Sequence, residues 1–314
     1  VRLGSAVWHS PTVETPRLLE LVRRLAPPAD AGPLPSQTEA DAWARERTGG
    51  LINKFPLDVA RFAVVLATAI ASKVSWEIPF EIRQPDDLLL PSDPAFAGRP
   101  VLGNPYQPEW CGFVDTEIGL VAGHTARSLH GLFVTSVVAD AGAAPTAVLE
   151  VAQRVAIAVA AGDPPESRSL FELPLGDGAA WRISESMTSS PGRERYEVRL
   201  PAWEAQSDHQ LLENPELGFR EAVSVLLSLL PPAQYQADAK QRAMARYTRE
   251  GFEAAAVTAA GVRVSAIWAD EHRQRSARIE FTRPHAVVAA TSGSGHWDGL
   301  PVFAAWVTQA VPAA

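Results

Sequence analysis

The sequence has few cysteines and no long apolar run, and both shortages exclude classes of protein. Cys111 is the only cysteine among 314 residues, which rules out an internal disulfide framework and a four-cysteine zinc site. We expect Cys111 to be a buried, unreactive thiol. The longest apolar stretch, FAVVLATAIAS at 62–72, is shorter than the roughly 18 residues that a membrane-spanning helix requires. We therefore expect no membrane partner.

Positive charge is also in short supply. Lys and Arg number 28 against 36 Asp and Glu, which gives a formal net charge of −8 and argues against nucleic acid as a partner. Apolar residues make up 46% of the chain, the balance of a soluble globular protein. The first ten residues, VRLGSAVWHS, lack the features of a signal peptide. The sequence does not decide the compartment: the protein is cytoplasmic, or it is secreted if the N-terminal part has been removed. The oligomeric state is unknown.

The common catalytic and cofactor signatures are absent as well. There is no phosphate loop, no dinucleotide fingerprint, no GxSxG and no HExxH. SGSGH at 292–296 lacks the spacing of a nucleophile elbow and predicts a hairpin tip. His124 and His130 would fall on different faces of a helix, so we expect partly exposed histidines rather than metal ligands. The sequence predicts no metal, no cofactor and no enzymatic activity.

Helix and strand patterns follow one another without a repeated β-α period, which disfavours a doubly wound sheet and predicts an α+β fold. Residues 62–74 are apolar and nearly uncharged, so we expect a strand that is buried on both faces. The helices that we predict lie at 15–25, from 37 to a stop at Gly49–Gly50, at 144–161, and in pieces over 208–230. The further strands that we predict lie at 3–8, 128–140, 179–190, 193–203, 286–290 and 302–307.

One segment gives conflicting signals. In REGFEAAAVTAAGVRVSAIW, residues 249–268, the alanines favour a helix. Val257 and Thr258 are β-branched residues, however, and VRVSAI alternates as a strand does. The pattern is consistent with a helix, with a strand, or with a segment that changes from one state to another.

Several motifs in the same order resemble the serpins, a family of serine-protease inhibitors. ADAWARERTGGLI (40–52), LATAIASKVSWEIPF (66–80), VRLPAWEAQSDHQLLENPELGF (198–219) and FTRPHAVVAA (281–290) are similar to family motifs, and EGFEAAAVT (250–258) is similar to the hinge of the reactive loop. The fold-motif residues that carry the resemblance are Trp43, Thr48, Gly50, Trp76, Pro79, Phe80, Pro201, Phe281 and Pro284. The hinge positions are Glu250, Gly251, Phe252, Glu253, Ala254, Ala255, Ala256, Val257 and Thr258, and all of them except Phe252 and Val257 match the residue typical of the family.

The resemblance implies a serpin-like α+β fold, with one large mixed sheet, smaller sheets, surrounding helices and an exposed reactive loop. We expect a single domain over residues 1–314, with the reactive loop at 249–280, in a bacterial protein that lacks the N-terminal helices of the family. The implied function is inhibition of a serine protease by a suicide-substrate mechanism. The target cuts the loop, is held as an acyl-enzyme in a covalent complex, and the hinge enters the main sheet.

The cleaved bond and the switch itself are less well defined. Counting along the family pattern from Gly251 reaches Ser265–Ala266, and a shifted register reaches Arg263–Val264, where arginine suits a trypsin-like pocket. Phe252 stands where inhibitory members have a small residue, so we expect its ring to hinder insertion. Arg249 replaces a glutamate, His285 replaces a phenylalanine, and the charged stretch ADEHRQRSAR (269–278) predicts an exposed tail after the bait. The alternative is a non-inhibitory binding or scaffold protein whose loop does not insert.

Overall fold

The computed structural model describes residues 2–25, 29–71, 74–104, 108–129, 131–252, 271–292 and 298–312. The α-helices in these ranges are α1 (Pro16–Leu25), α2 (Gln37–Arg47), α3 (Pro145–Ala160) and α4 (Phe219–Leu227). The strands are β1 (Arg2–His9), β2 (Asp30–Pro33), β3 (Val64–Ala71), β4 (Val74–Ser75), β5 (Glu81–Arg83), β6 (Val101–Gly103), β7 (Trp110–Thr116), β8 (Gly119–Arg127), β9 (Leu132–Val138), β10 (Gly176–Asp177), β11 (Trp181–Thr188), β12 (Glu194–Pro201), β13 (Trp203–Gln210), β14 (Lys240–Tyr247), β15 (Gly251–Phe252), β16 (His272–Glu280), β17 (His285–Thr291) and β18 (Pro301–Val307). None of the helices described here has the length and apolar character to cross a membrane.

The strands form four sheets, and the helices do not alternate regularly with the strands. The sheet orders are β2-β1-β3, β10-β11-β16-β12-β6-β5, β13-β14-β15-β4 and β18-β17-β9-β8-β7. Antiparallel pairs dominate. Among the described strands, parallel pairing joins β1 with β2 and β12 with β16. The α+β class is therefore confirmed, as are the helices at 16–25, 37–47 and 145–160. The piecewise helix expected from 208 is wrong at its start, because β13 continues to Gln210.

Residue contacts divide the chain into two compact units. Unit 1 comprises Val1–Lys73 and Ala205–Ala245, and unit 2 comprises Val74–Glu204 and Arg246–Ala314. The strands β13 and β14 each contribute residues to both units. The single domain expected over residues 1–314 stays a prediction.

In unit 1, β1 is covered on both faces by helices. Its alternating side chains point to opposite sides of the sheet. Trp8 belongs to a cluster with Ala40 and Ala44 of α2, whereas Val7 belongs to a second cluster with Leu18 of α1. Half-buried apolar side chains that follow α4 pack against this second cluster. Packing on both faces fixes the strand within the unit.

The strand β3 differs from its sequence prediction. Val65 and Ala67 are buried in the cluster under α2, whereas Leu66 between them is 51% exposed. The prediction of a strand buried on both faces is therefore wrong. Composition predicted a buried strand, but burial depends on what packs against each face. The α2 face of β3 is covered along Val65 and Ala67, whereas the opposite face packs against the α1 cluster at Val64 and leaves Leu66 exposed.

The serpin-like motif at the end of α2 has a clear structural role. Ser36 and Glu39 form a reciprocal capping box at the start of the helix. At its end, the Thr48 hydroxyl donates to the Ala44 carbonyl at 2.7 Å and accepts from the Ile52 amide at 2.9 Å. Glycine then follows with φ of 89° at Gly50, a left-handed conformation that favours glycine. The motif therefore turns the chain towards β3.

In unit 2, α3 packs on one face of the five-stranded sheet. Its buried side chains, which include Val151 and Val155, pack on Val121, Val137 and Val288 of the sheet. The strands β17 and β18, expected near the end of the chain, are confirmed and pair as an antiparallel hairpin. The stretch SGSGH at its tip lies mostly outside the described residues.

The exposed tail expected at 269–278 is wrong from His272 onwards. Residues His272–Glu280 form β16, which lies between β11 and β12 in the six-stranded sheet. Its arginines are neutralised by carboxylates of the neighbouring strands: Arg275 pairs with Glu185 at 3.1 Å, and Arg278 pairs with Glu197 at 2.8 Å. Charged residues occupy an inner strand here because partners distant in sequence compensate them.

Two histidines are buried in the five-stranded sheet. His124 of β8 is 1% exposed, so the partly exposed histidine expected there is wrong, and His285 of β17 is 0% exposed. His130 lies outside the described residues. Burial lowers the pKa of His124 to about 3, and burial lowers the pKa of His285 to about 4 against a hydrogen bond with the Arg283 carbonyl. Both imidazoles are therefore neutral in the native protein near pH 7.

These two histidines predict a loss of stability in weak acid. Because their native pKa values lie below the ordinary value of 6.5, the unfolded chain binds more protons once the pH falls below 6.5. We expect the free energy of unfolding to be complete above pH 6.5 and to fall by about 2 kcal/mol for each histidine by pH 5. Urea unfolding at pH 7 and pH 5 measures the difference.

The variant His285→Phe should lose its share of this pH dependence, because a phenylalanine cannot take up a proton. Phe113→Leu, at a buried position of the same sheet, is the matched control, because neither side chain takes up a proton and the difference between pH 7 and pH 5 should stay unchanged. An unchanged difference in His285→Phe would contradict the assignment.

Candidate functional site at the loop base

The structure describes the first part of the expected hinge and the chain that leads into it. Glu250, Gly251 and Phe252 are described. Hinge residues 253–258 and the candidate cleavage positions at 263–266 (Arg263, Val264, Ser265 and Ala266) lie outside the described residues, so their roles stay predictions. We call the stretch Tyr247–Phe252 the loop base.

The loop base is a tight reversal of the chain between β14 and β15. Tyr247 ends β14 and pairs with Phe252 in antiparallel register. The Thr248 amide and hydroxyl both donate to the Gly251 carbonyl, each at 3.0 Å. The chain therefore leaves β14 as a hairpin that points back along the strand.

A second strand closes the other side of the loop base. In β4, Ser75 pairs with Gly251 and Val74 pairs with Phe252, both antiparallel. β15 thus lies between β14 and β4. The loop base is therefore paired on both sides, by β14 and by β4.

The family motif WEIPF supplies further hydrogen bonds to the loop base. The Trp76 amide donates to the Glu250 carbonyl at 3.0 Å, and the Phe80 amide donates to the Arg249 carbonyl at 2.9 Å. The Trp76 indole N–H donates to the Thr248 carbonyl at 2.9 Å. We call β4 and this motif, residues 74–80, the clamp. Pro79 lies within it and is half-buried.

Aromatic rings pack around the loop base. The six rings, which we call the aromatic cluster, belong to Trp76, Phe80, Trp203, Tyr247, Phe252 and Phe303. Tyr247 lies 4.7 Å from Trp76 between ring centroids, and Phe252 lies 5.7 Å from Phe303 and 6.2 Å from Trp203. Phe252 is 5% exposed. The ring is therefore buried at the loop base.

Sequence reasoning identified the clamp but missed three of its aromatic partners. Trp76, Pro79 and Phe80 carried the family resemblance, and the structure brings them against the hinge. Trp203, Tyr247 and Phe303 come from β13, β14 and β18. No spacing in the sequence links these positions; the only signal was the general tendency of aromatic residues to be buried.

The other fold-motif residues lie away from the loop base. Trp43 of α2 packs on Trp8, with ring centroids 5.3 Å apart. Pro201 ends β12, and Phe281 follows β16 and is 0% exposed. Pro284 is half-buried between β16 and β17. These positions support the fold and not the hinge.

The polar groups at the loop base are engaged in local contacts or held in their neutral form. The Arg249 side chain donates to the Phe80 carbonyl at 3.2 Å and lies 3.7 Å from the Glu250 carboxylate. The Tyr247 hydroxyl is buried without a hydrogen-bond partner among the described residues, and burial raises its pKa. Cys111, half-buried in β7, has a thiol pKa that burial raises well above the usual range. The loop base can pair with backbone, but it offers no activated nucleophile.

Truncation of Phe252 should destabilise the protein because it empties part of the aromatic cluster. We expect Phe252→Ala to lower the free energy of unfolding by about 3 kcal/mol. Phe219→Ala is the control: Phe219 is 37% exposed, so its loss should cost less than about 1 kcal/mol. Urea unfolding measures both, and equal costs would show that Phe252 is not an anchor.

Known proteins share this fold at low sequence identity. No family model matches the sequence, and no curated protein matches it. The native state of tengpin, a thermophilic serpin, is similar with a TM-score of 0.62 and 13% identity over 98% of this chain and 73% of tengpin. Serpin48, a highly specific serpin of the insect Tenebrio molitor, is similar with a TM-score of 0.56 and 13% identity over 98% of this chain and 75% of Serpin48.

A third similar structure is human thyroxine-binding globulin in complex with its hormone. Its TM-score is 0.56, with 14% identity over 93% of this chain and 71% of the globulin. At these identities the similarity concerns the fold alone, and it extends over nearly the whole chain. The fold implied by the hinge and clamp motifs is therefore confirmed, and the protein is a serpin-fold protein.

Proposed function

We propose that this protein inhibits a serine protease by acting as a suicide substrate, with its reactive loop in the part of the expected region 249–280 that lies between β15 and β16. The observation that carries the proposal is the position of β15 between β14 and β4. Two residues of the hinge already form a strand there, and the strand is directed along β14. Inhibition would require this short strand to lengthen after the loop is cut.

The sheet edges in unit 1 support such lengthening. Among the described residues, β3 pairs only with β1, and β15 pairs with β14 only at Tyr247. The edge of β3 away from β1 and the edge of Lys240–Ala245 away from β13 therefore have no strand partner within the described ranges. Unpaired edges of this kind accept a further strand.

The register of the loop base assigns partners to the hinge residues on the β14 side. Extending the Tyr247–Phe252 pair one residue at a time would set Ala254 against Ala245, which is 3% exposed. Glu253 would face Arg246 on the opposite side of the strand. A small side chain would thus enter the buried face, and a carboxylate would meet a guanidinium across the strands.

In this mechanism the Phe252 side chain would keep its position when β15 lengthens. Its ring is 5% exposed in the aromatic cluster while β15 is only two residues long. The sequence-based expectation that Phe252 hinders insertion requires its ring to move from solvent into the sheet. Lengthening would begin after Phe252, at positions where the side chains are small.

The proposed reaction consumes the loop and traps the protease. The protease serine attacks the carbonyl carbon of Ser265, the Ser265–Ala266 bond breaks, and the proton passes through the protease histidine to the new Ala266 amine. The serine is then joined to Ser265 by an ester. Lengthening of β15 carries the ester away from the loop base before water cleaves it. Arg263–Val264 is the second candidate bond, and the chain itself performs no catalysis in either case.

A covalent complex is the direct test. We expect incubation with elastase, subtilisin and trypsin types to give, with at least one of them, a band at the summed mass that resists denaturation on gels. Mass spectrometry of the released fragment should locate the cut at Ser265–Ala266 or Arg263–Val264. Cleavage in the loop without such a band would contradict inhibition by these proteases.

The register allows a sharper test with two variants of equal charge. Ala254→Asp would place a carboxylate against buried Ala245 and should abolish the covalent complex while the loop is still cut. Ala255→Asp would point to the other face, where Arg242 and Arg246 of β14 already pair with Asp208 and Glu204, and should retain at least about half of the complex because that face is only half-buried and keeps a carboxylate in reach of solvent. Equal losses in both variants would contradict the proposed register. Complex yield per cleaved chain is the measurement.

A second candidate function is that of a non-inhibitory serpin-fold binding or scaffold protein. The clamp favours it, because hydrogen bonds from Trp76 and Phe80 and the buried Phe252 ring hold the loop base in place. Human thyroxine-binding globulin, which has a similar fold, is a hormone complex in its solved structure. Thermal unfolding after loop cleavage separates the candidates: an inserted loop raises the unfolding temperature, and a loop that stays out leaves it unchanged.

A further inference from the structure

The outer strand of the five-stranded sheet, β18, is less buried than the strand beside it. In β17, residues 285–290 are all buried, whereas Val307 is the only buried residue among the seven of β18. Ala304 is exposed, although Val288, its partner on β17, is 0% exposed. Within the described ranges, β18 pairs with β17 alone. The other edge of β18 is therefore available to a further strand.

The sequence of β18 lacks the usual protection of an edge strand. Edge strands commonly carry charged side chains, a proline or a bulge, which prevent them from pairing with other chains. PVFAAWV has no charged side chain, and none occurs from residue 299 to residue 314. Its proline, Pro301, is the first residue of the strand, and the irregularity in its pairing with β17 lies at the same end. The rest of the strand can pair with a second strand.

The side of α3 adds apolar surface beside this edge. Trp306 packs on the core beneath α3, so the even-numbered side chains of β18 point to the helix side of the sheet. On that side, Ile157 of α3 is 37% exposed, and Leu300, just before β18, is 43% exposed. A Cβ atom built on Gly299 would lie 3.7 Å from the Ile157 Cγ2 atom, so this part of α3 adjoins the start of β18. We call β18, Leu300 and Ile157 the apolar edge.

A second copy of the chain matches the apolar edge. In a dimer with a two-fold axis perpendicular to the sheet, two copies of β18 run antiparallel, and each contact occurs twice. An axis at Ala304 sets all seven residues of β18 opposite β18 of the other copy. Trp306 then faces the partner's Val302, and Phe303 faces the partner's Ala305. Each bulky ring meets a smaller side chain, which suits cross-strand packing.

The two neighbouring registers fit less well. An axis at Phe303 brings the two Phe303 rings directly opposite one another. An axis at Ala305 leaves Pro301 and Val302 opposite residues beyond the end of β18. The register about Ala304 is the one that uses the whole strand and keeps the rings apart.

The charge of the molecule affects this contact only from a distance. Each copy carries a formal net charge of −8, so two copies repel one another. The apolar edge contains no charged side chain. Salt screens repulsion between distant charges, with a Debye length of about 10 Å at about 0.1 M, but it does not weaken apolar contacts. Salt should therefore favour association of two copies.

We propose that this protein forms a symmetric homodimer through the apolar edge, with β18 of each copy paired antiparallel about Ala304. The five-stranded sheet then continues from one copy into the other. The contact does not involve loop cleavage, so the dimer and the proposed inhibition are tested by separate measurements.

Sedimentation velocity tests the dimer directly. We expect the full chain to be mostly dimeric above about 10 µM and mostly monomeric well below that concentration. The dimer should be at least about twofold tighter at about 0.5 M NaCl than at about 0.05 M. A monomer at every concentration up to about 200 µM, dissociation by salt, or growth beyond a dimer would overturn the proposal.

A cysteine at the axis locates the contact. Ala304→Cys would bring the two residues 304 to a Cα–Cα distance of about 4.5–5.5 Å, which a disulfide can span. Oxidation should link at least about half of the chains into a dimer on non-reducing gels. Ala42→Cys, at an exposed position of α2, is the matched control and should link at least about fivefold fewer chains. The unaltered chain, which contains Cys111, measures the background. Equal linking of the two variants would overturn the site.

A charge at the axis gives an independent measurement. Ala304→Asp would set two carboxylates opposite one another and should weaken the dimer at least about tenfold. Ala42→Asp adds the same charge away from the apolar edge and should change the dimer less than about twofold. Equal effects of the two variants would assign the loss to net charge and overturn the site. If Ala304→Asp fails to fold, the comparison of the two cysteine variants still decides.

Discussion

The attachment of the loop base to the clamp is the constraint on which the functional features depend. The amides of Trp76 and Phe80 donate to backbone carbonyls of the loop base at 3.0 and 2.9 Å. Each hydrogen bond contributes about 1 kcal/mol net, whereas burial of the Phe252 ring contributes about 2–3 kcal/mol. The ring therefore holds the loop base more strongly than any single hydrogen bond does, and the hydrogen bonds set its register.

For each residue added to β15, the favourable and unfavourable backbone contributions to the free energy would nearly cancel. Fixing one residue's backbone costs about 1–2 kcal/mol, and two new backbone hydrogen bonds return about 1 kcal/mol each. Side-chain burial and chain tension therefore decide the outcome. In the proposed mechanism, the small side chains of Ala254–Ala256 would limit the steric cost of a place between strands, and an uncut loop, joined to β16, would be stretched. Cleavage would remove this tension, so a cut loop would lengthen β15 more readily than an intact one.

The sequence predicted the elements whose signals are local and missed those that depend on distant partners. The end of α2 follows from Thr48 and its neighbouring glycines, and Trp76, Pro79 and Phe80 of the clamp are recognisable in the sequence as fold-motif residues, whereas the hinge at 253–258 stays a prediction. β16 was misread as an exposed tail because the carboxylates that neutralise its arginines lie in β11 and β12. Leu66 of β3 was misread for a similar reason, since composition does not reveal which face of a strand is covered. Trp203 and Phe303 had no sequence signal that linked them to Phe252.

The role that the sequence suggests for Phe252 differs from the one that the structure supports. This difference affects the choice between the two proposed functions. In the sequence it is a bulky residue at a position where small residues enter a sheet. In the structure its ring packs on Trp203 and Phe303, so in the proposed mechanism the first pair of the lengthened strand would exist before the loop is cut. A formed first pair removes the entropic cost of starting a hairpin. The step that separates inhibition from simple cleavage therefore lies beyond Phe252, at the alanines that would meet Ala245 and Ala243 on β14.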